Sequence, residues 1–350
     1  MLPFESIIYE PLDKANTQDC RKLYGVEFVP PSKQEIGRFT TTCDILISEQ
    51  QRLLDETKHA FTINKPAIVY MPTAFLAKKL HPKQVEAINE RETPQVAAYC
   101  VGVQEQLIRV PINESHERLS HIPSIFRESR VSATFSEIPF PDVSGEWAHK
   151  PQEFWVRESF AERLVFMGSI LNKIGVQIHF IEAFRPVGVQ EGMFRRRIIR
   201  TRNEHPKWSE QEVTCEARSK TASTPRLASH KGGAAVDILL QRVDDDSFLD
   251  FGHDYPDGGV LVFPRTPYVT AEQWRNRQLL QVSAGLSGIT LYVGEDWHIS
   301  FGDNLAALDA TGKIEQGYEA KYGPIKDFDR ATGEITSIYS ATELDIMFDY

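Results

Sequence analysis

The sequence predicts an α+β protein on three observations. Residues 156–173 place Phe160, Leu164, Met167 and Leu171 on one face of a helical repeat. Gly175 follows at a C-cap position, and residues 176–181 then alternate as a strand does. Two capping boxes, Ser209 with Glu212 and Thr270 with Gln273, open further helices nearby.

The bulk properties narrow the class. The chain has 350 residues, of which 41% are hydrophobic and 25% charged, enough for one large domain or two modest ones. A net charge of −10 argues against a nucleic-acid partner, which would call for a basic face. Cys20, Cys43, Cys100 and Cys215 are scattered without a close pair and read as reduced thiols. The first residues lack a basic start and an apolar core, and no apolar run approaches the ~20 residues of a membrane helix. A cytoplasmic protein that engages no membrane is expected.

Residues 1–130 read as an N-terminal extension of unknown role. Residues 45–61 are helix-like, residues 81–91 form a polar helix, and residues 67–71, 97–103 and 107–110 are strand candidates. His116 and His121 have no partners at ligand spacing and read as ordinary histidines. Residues 131–150, with Pro139, Pro141, Gly145 and Trp147, read as a loop. After the strand at 176–181, residues 190–203 form a helix. Its Arg195, Arg196, Arg197, Arg200 and Arg202 read as a solvated, salt-bridged face. Residues 221–228 are a polar loop containing Pro225. Residues 244–259 form an acidic loop with Asp250, His253, Asp254 and Asp257, long enough to serve as a binding loop. A helix at 271–284 and a strand at 289–293 follow, and residues from about 304 form a tail.

The chemistry gathers around two stretches. In the first, Ser229-His230-Lys231-Gly232-Gly233-Ala234-Ala235-Val236-Asp237, small residues separate a histidine from a carboxylate that starts an apolar run. In a plain strand those two positions would face opposite ways, so a turn at Gly232 and Gly233 must bring His230 round. In the second, Glu295-Asp296-Trp297-His298, a kink after Gly294 is needed for Glu295 and His298 to share a site. His230, Asp237 and His298 would leave a fourth metal position open, which is the catalytic pattern. Glu295 is then the candidate base, taking the proton of the attacking water and passing it to the leaving amine. Arg185, held extended by Pro186, is the candidate cation for the developing oxyanion.

His230-x-x-Gly233-x-Ala235-x-Asp237, Glu295-x-Trp297-His298 and Phe184-Arg185-Pro186 together resemble the zinc D-alanyl-D-alanine peptidase superfamily, to which hedgehog-like proteins are related. Within it, the chain looks most like D-Ala-D-Ala dipeptidases of the VanX type, over roughly residues 155–303. The resemblance implies an antiparallel sheet with packed helices and one zinc ion per chain, held by His230, Asp237 and His298. It also implies Glu295 as base, Arg185 as stabiliser of the intermediate, and a small peptide as substrate. The implied catalytic domain covers residues 131–303, between the extension and a tail at 304–350. Two departures stand out. Ser229 lies one place from where the family has its substrate-binding serine, a position held here by Ala228, and Asp296 replaces the first Trp of the family's Glu-Trp-Trp-His. The family's carboxylate for the substrate amino group falls in the acidic loop, where Asp254 and Asp257 are candidates. A D,D- or L,D-carboxypeptidase acting on muropeptides and a zinc-binding module without turnover are the alternative readings.

Overall fold

A computed structural model describes residues 7–11, 23–57, 67–71, 76–140, 150–221, 229–256, 259–264, 266–308, 314–340 and 342–344. In chain order the elements are β1 (Ile7–Pro11), β2 (Phe28–Val29), α1 (Lys33–Thr57), β3 (Ala67–Met71), β4 (Leu76–Ala77) and α2 (Pro82–Leu107). Next come β5 (Leu119–His121), α3 (Ile122–Glu128), β6 (Ala133–Phe135), β7 (Trp155–Arg157), α4 (Glu158–Asn172) and β8 (Val176–Glu182). The chain continues with α5 (Val187–Glu204), α6 (Glu210–Lys220), β9 (Ala235–Arg242), α7 (Ala271–Leu286), β10 (Thr290–Leu291), β11 (His298–Ser300), β12 (Ile325–Phe328) and β13 (Ile335–Ile338).

The fold is α+β, as its sequence predicts, around a five-stranded sheet of order β10-β11-β9-β8-β6. Neighbours run antiparallel from β10 to β8, and β6 alone joins in parallel, against β8. The expected antiparallel sheet is therefore mixed at one edge. The chain between β6 and β8 includes the whole of α4, the long crossover that a parallel pair requires. The apolar stripe of α4 does what its spacing predicts: Phe160, Leu164, Met167 and Leu171 pack on Ile178 and Phe180 of β8 and Val236, Ile238 and Leu240 of β9. Each such side chain contributes about 1.5–3 kcal/mol when fully buried. Gly175, at φ +72°, turns the chain from α4 into β8. Both capping boxes form, at the starts of α6 and α7.

Two expectations for the N-terminal region fail. Residues 97–103 and 107–110, expected as strands, are the second half of α2 and its exit. Their short apolar runs fit either structure, and Cys100, Val103 and Leu107, buried at helical spacing, decide for the helix. A capping box at His81 and Gln84 starts that helix. Of the loop expected at 131–150, residues 133–135 form β6, whereas Pro141, Gly145 and Trp147 lie outside the described residues, as do residues 222–228. The strand expected at 289–293 shortens to β10.

The region before residue 131 shares cores with the rest of the chain. Phe39, Cys43 and Leu46 of α1 cluster with Phe166 and Ile170 of α4 and with Trp274, Val282 and Leu286 of α7. Val26, Phe28, Ala77 and Ile88 cluster with Val260, Leu261 and Tyr268. No helix among the described residues is long and apolar enough to cross a membrane.

Candidate metal centre

His230 sits in a single 3-10 turn, Ser229–Gly232. Gly233 closes the turn at φ +64°, where any side chain is strained and a Cβ would approach a Leu119 methyl to 2.7 Å. The Gly233 and Ala234 amides donate to the carbonyls of His230 and Ser229. From beneath, the buried Arg157 donates through Nε to the Gly232 carbonyl at 2.7 Å, while Glu114 neutralises its guanidinium. His230 thus comes round to face β9 as the glycines require. Asp237 and His298 meet more simply, as direct cross-strand partners of β9 and β11.

The three side chains converge. His230 Nε2 is 3.2 Å from His298 Nδ1 and 3.3 Å from Asp237 Oδ1, and His298 Nδ1 is 3.0 Å from the same oxygen. His230 donates through Nδ1 to the Ala183 carbonyl at 2.8 Å, which leaves Nε2 as the lone-pair nitrogen facing the others. With no proton on any of the three atoms, their lone pairs face one another at this spacing, an arrangement that a cation between them relieves. Metal–ligand bonds of about 2.0–2.1 Å in a tetrahedron set ligand atoms about 3.3 Å apart, close to the spacing found. The donor set therefore fits a single metal ion. Burial alone would push the Asp237 carboxyl up, but positive charge at this position, on protonated His230 and His298, outweighs it and holds the carboxyl well below the usual range.

Arg185 and Glu295 flank the cluster, and both line the groove into which it opens. Glu182 grips Arg185 through Nε and Nη2, each at 2.6 Å, and Gln190 accepts from Nη1 at 2.6 Å. Burial disfavours its charge, but the Glu182 carboxylate more than offsets this and raises its pKa above the ordinary value. Nη2 lies 3.8 Å from Asp237 Oδ2. Three N–H groups are engaged, and the rest of the fork is left for a ligand. Desolvation pushes the Glu295 carboxyl up to about 7, with Asp237 adding to the rise while His298 and Arg185 oppose it. A carboxylate tuned toward neutrality beside a metal-ligand cluster is poised to exchange a proton. A turn at residues 293–294 and a bend at 296–297, before β11, supply the kink that brings Glu295 and His298 to one site.

The substrate-contact candidates divide. Ser229 is buried and lines the groove beside His230. Asp254 is exposed on the groove's rim, and Asp257 lies outside the described residues. His253 is bound to Asp296, with Nε2 at 2.8 and 2.9 Å from its two oxygens, and is no part of the cluster. Three further groups belong to the site without a signal of their own in the motifs. Tyr255 donates to Asp237 Oδ2 at 3.3 Å and so orients the carboxylate, while Glu182 and Gln190 fix Arg185. Glu182 could have been found, since it ends the same strand three residues before Arg185. Tyr255 arrives from the acidic loop, where only the carboxylates drew notice.

A search of curated proteins finds no match to this chain. The sequence model of the D-ala-D-ala dipeptidase family of peptidases matches residues 142–318. That span holds the His230 turn, Asp237, Glu295, His298 and Arg185, and it exceeds half of the sequence. The chain belongs to the D-ala-D-ala dipeptidase family of peptidases.

Proposed function

We propose that the protein is a single-zinc peptidase that hydrolyses short peptides ending in D-alanyl-D-alanine, with the dipeptide itself as its reference substrate. The observation that carries this reading is the convergence of His230 Nε2, Asp237 Oδ1 and His298 Nδ1 beside an open groove with Glu295 at its wall. His230, Asp237 and His298 would hold the ion. Zinc bound there supplies Lewis-acid polarisation of a carbonyl and acidification of a water molecule. Glu295 accepts the proton of the attacking water and returns it to the leaving amine. Arg185, fixed by Glu182 and Gln190, offers its remaining N–H groups to the developing oxyanion without having to reorganise. Ser229 and Asp254, which both line the groove, are the candidates to contact the peptide.

A second reading, a carboxypeptidase acting on longer wall peptides, draws on the groove's volume of about 1620 Å³, which a dipeptide cannot fill. The test is a hydrolysis panel of D-Ala-D-Ala and D-Ala-D-Ala-terminated longer peptides, run on protein loaded with zinc and again with chelator. We expect one zinc per chain, turnover only with metal, and a Glu295→Gln protein that keeps zinc but loses turnover. Loaded protein that cleaves none of the panel would sink the proposal, and full activity in Glu295→Gln would show that the base is another residue.

A further inference from the structure

The arginine-rich helix α5 is not wholly a solvated face. Arg195 pairs with Glu191, Arg200 with Glu204 at 2.8 Å, Arg202 with Glu210 at 2.7 Å, and Lys220 of α6 with Glu216 at 2.5 Å. Arg197 differs from these. It is half-buried, it lines the groove that holds the metal-ligand cluster, and it makes no hydrogen bond or ion pair to any described residue. The acids that attract it, Glu204 and Glu216, each hold a nearer cation. A guanidinium fork partly withdrawn from water and without a carboxylate partner among the described residues is suited to take one from a ligand.

Helix geometry relates this cation to the site. Gln190, which bonds Arg185, and Arg197 are seven residues apart on α5, so they share one side of the helix and lie about 10 Å apart along it. Met193, Arg200 and Glu204 continue the same wall. An extended peptide advances about 3.5 Å per residue, so a dipeptide reaches about 7 Å and stops short of Arg197. A third or fourth residue would arrive there.

We propose that Arg197 forms an anion subsite that binds a carboxylate of the substrate lying outside the dipeptide that is cut, so that acidic peptides of three or more residues are preferred. This deepens the peptidase reading and rests on it. Arg200 and Lys220 already balance Glu204 and Glu216, so Arg197 contributes one unbalanced positive charge to this wall, which a single carboxylate matches.

Two tetrapeptides ending in D-Ala-D-Ala, identical except for glutamate or glutamine as first residue, test this. A second pair carries the same exchange at the other end. For wild type we expect kcat/KM to favour the glutamate member of one pair by about tenfold, a preference that falls as salt is raised. Arg197→Gln should remove that preference, while leaving D-Ala-D-Ala turnover within about twofold, and Arg197→Lys should restore part of it. Arg195→Gln, on the exposed side of α5, should keep the full preference. Calorimetric binding of the same peptides to zinc-loaded Glu295→Gln protein reads the subsite even where turnover is absent, which separates its failure from failure of the peptidase reading. Equal handling of glutamate and glutamine in both pairs by wild type overturns the proposal. So does an Arg197→Gln protein that still prefers glutamate, or one that weakens both members alike.

Discussion

Glu295 is held by opposing influences whose balance can be read from a pH profile. Desolvation carries it up to about 7, and the charge of an ion among His230, Asp237 and His298 would draw it back down. The base role proposed for Glu295 requires it deprotonated, so kcat/KM should rise with pH and level off above the Glu295 pKa. That acidic limb should lie below 7 in zinc-loaded protein, and a Glu295→Gln protein should show no residual activity governed by it. A wild-type profile without an acidic limb between about pH 4 and 7 would remove Glu295 from the base role. Arg185 separates from it by a different variant. Arg185→Ala would leave the 2%-exposed Glu182 without its partner and confuse stability with catalysis. Arg185→Lys keeps the charge but loses the bidentate fork, and kcat should fall about 100-fold with zinc content unchanged. Parallel measurement of kcat and bound zinc distinguishes this from loss of the metal.

The strand β11 and the acidic loop are joined by a buried brace that the motif alone does not reveal. Asp296, 2% exposed, receives His253 at 2.8 Å and lies 3.3 Å from Arg277 of α7. Arg277 also donates to the carbonyls of Phe251, Leu261 and Phe263. The same loop then carries Tyr255 to Asp237, with its ring edge-on to Trp297. Asp296, the departure from the family's Glu-Trp-Trp-His, thus points away from the groove and into a network that places the loop. Asp296→Ala should destabilise the protein by about 3–5 kcal/mol, because Arg277 is 1% exposed and would keep an uncompensated charge. Asp296→Asn, which keeps a hydrogen-bond acceptor, should lose less, and urea unfolding of the two variants ranks them. At this scale sequence reasoning reached what short-range spacing encodes. The glycine turn, the α4 stripe and the capping boxes are local patterns, and each formed as expected. Tyr255 and the His253–Asp296–Arg277 brace depend on a loop's path, which spacing does not specify.

For the whole molecule, the less legible part is the first third of the chain, where apolar runs at 97–103 and 107–110 fit strand and helix equally. Contacts far along the sequence decide in favour of α2. Its Gln104 donates to the Arg218 carbonyl at 2.8 Å, Asn304 donates to the Leu107 carbonyl at 3.4 Å, and its Asn89, Cys100 and Gln104 line the groove. The region thus supplies one wall of the site. Helix α1 is tied in as firmly, with Gln50 donating to the Leu286 carbonyl at 2.7 Å. A chain beginning at residue 131 would strip the N-terminal part of their packing from Trp274, Val282, Leu286, Val260, Leu261 and Tyr268. Uncovering apolar side chains forfeits about 1.5–3 kcal/mol for each one fully exposed, and several together match the about 5–15 kcal/mol of net stability typical of a folded protein. We therefore expect the 131–350 fragment to lack a cooperative thermal transition, to bind a hydrophobic dye and to be cut rapidly by protease, whereas the full chain shows one sharp transition. Addition of zinc should raise the melting temperature of the full chain, because the ion binds folded protein alone, and leave the fragment unchanged. A fragment that melts cooperatively and gains the same zinc stabilisation would establish residues 131–350 as an independent domain, with the extension as an accessory to it.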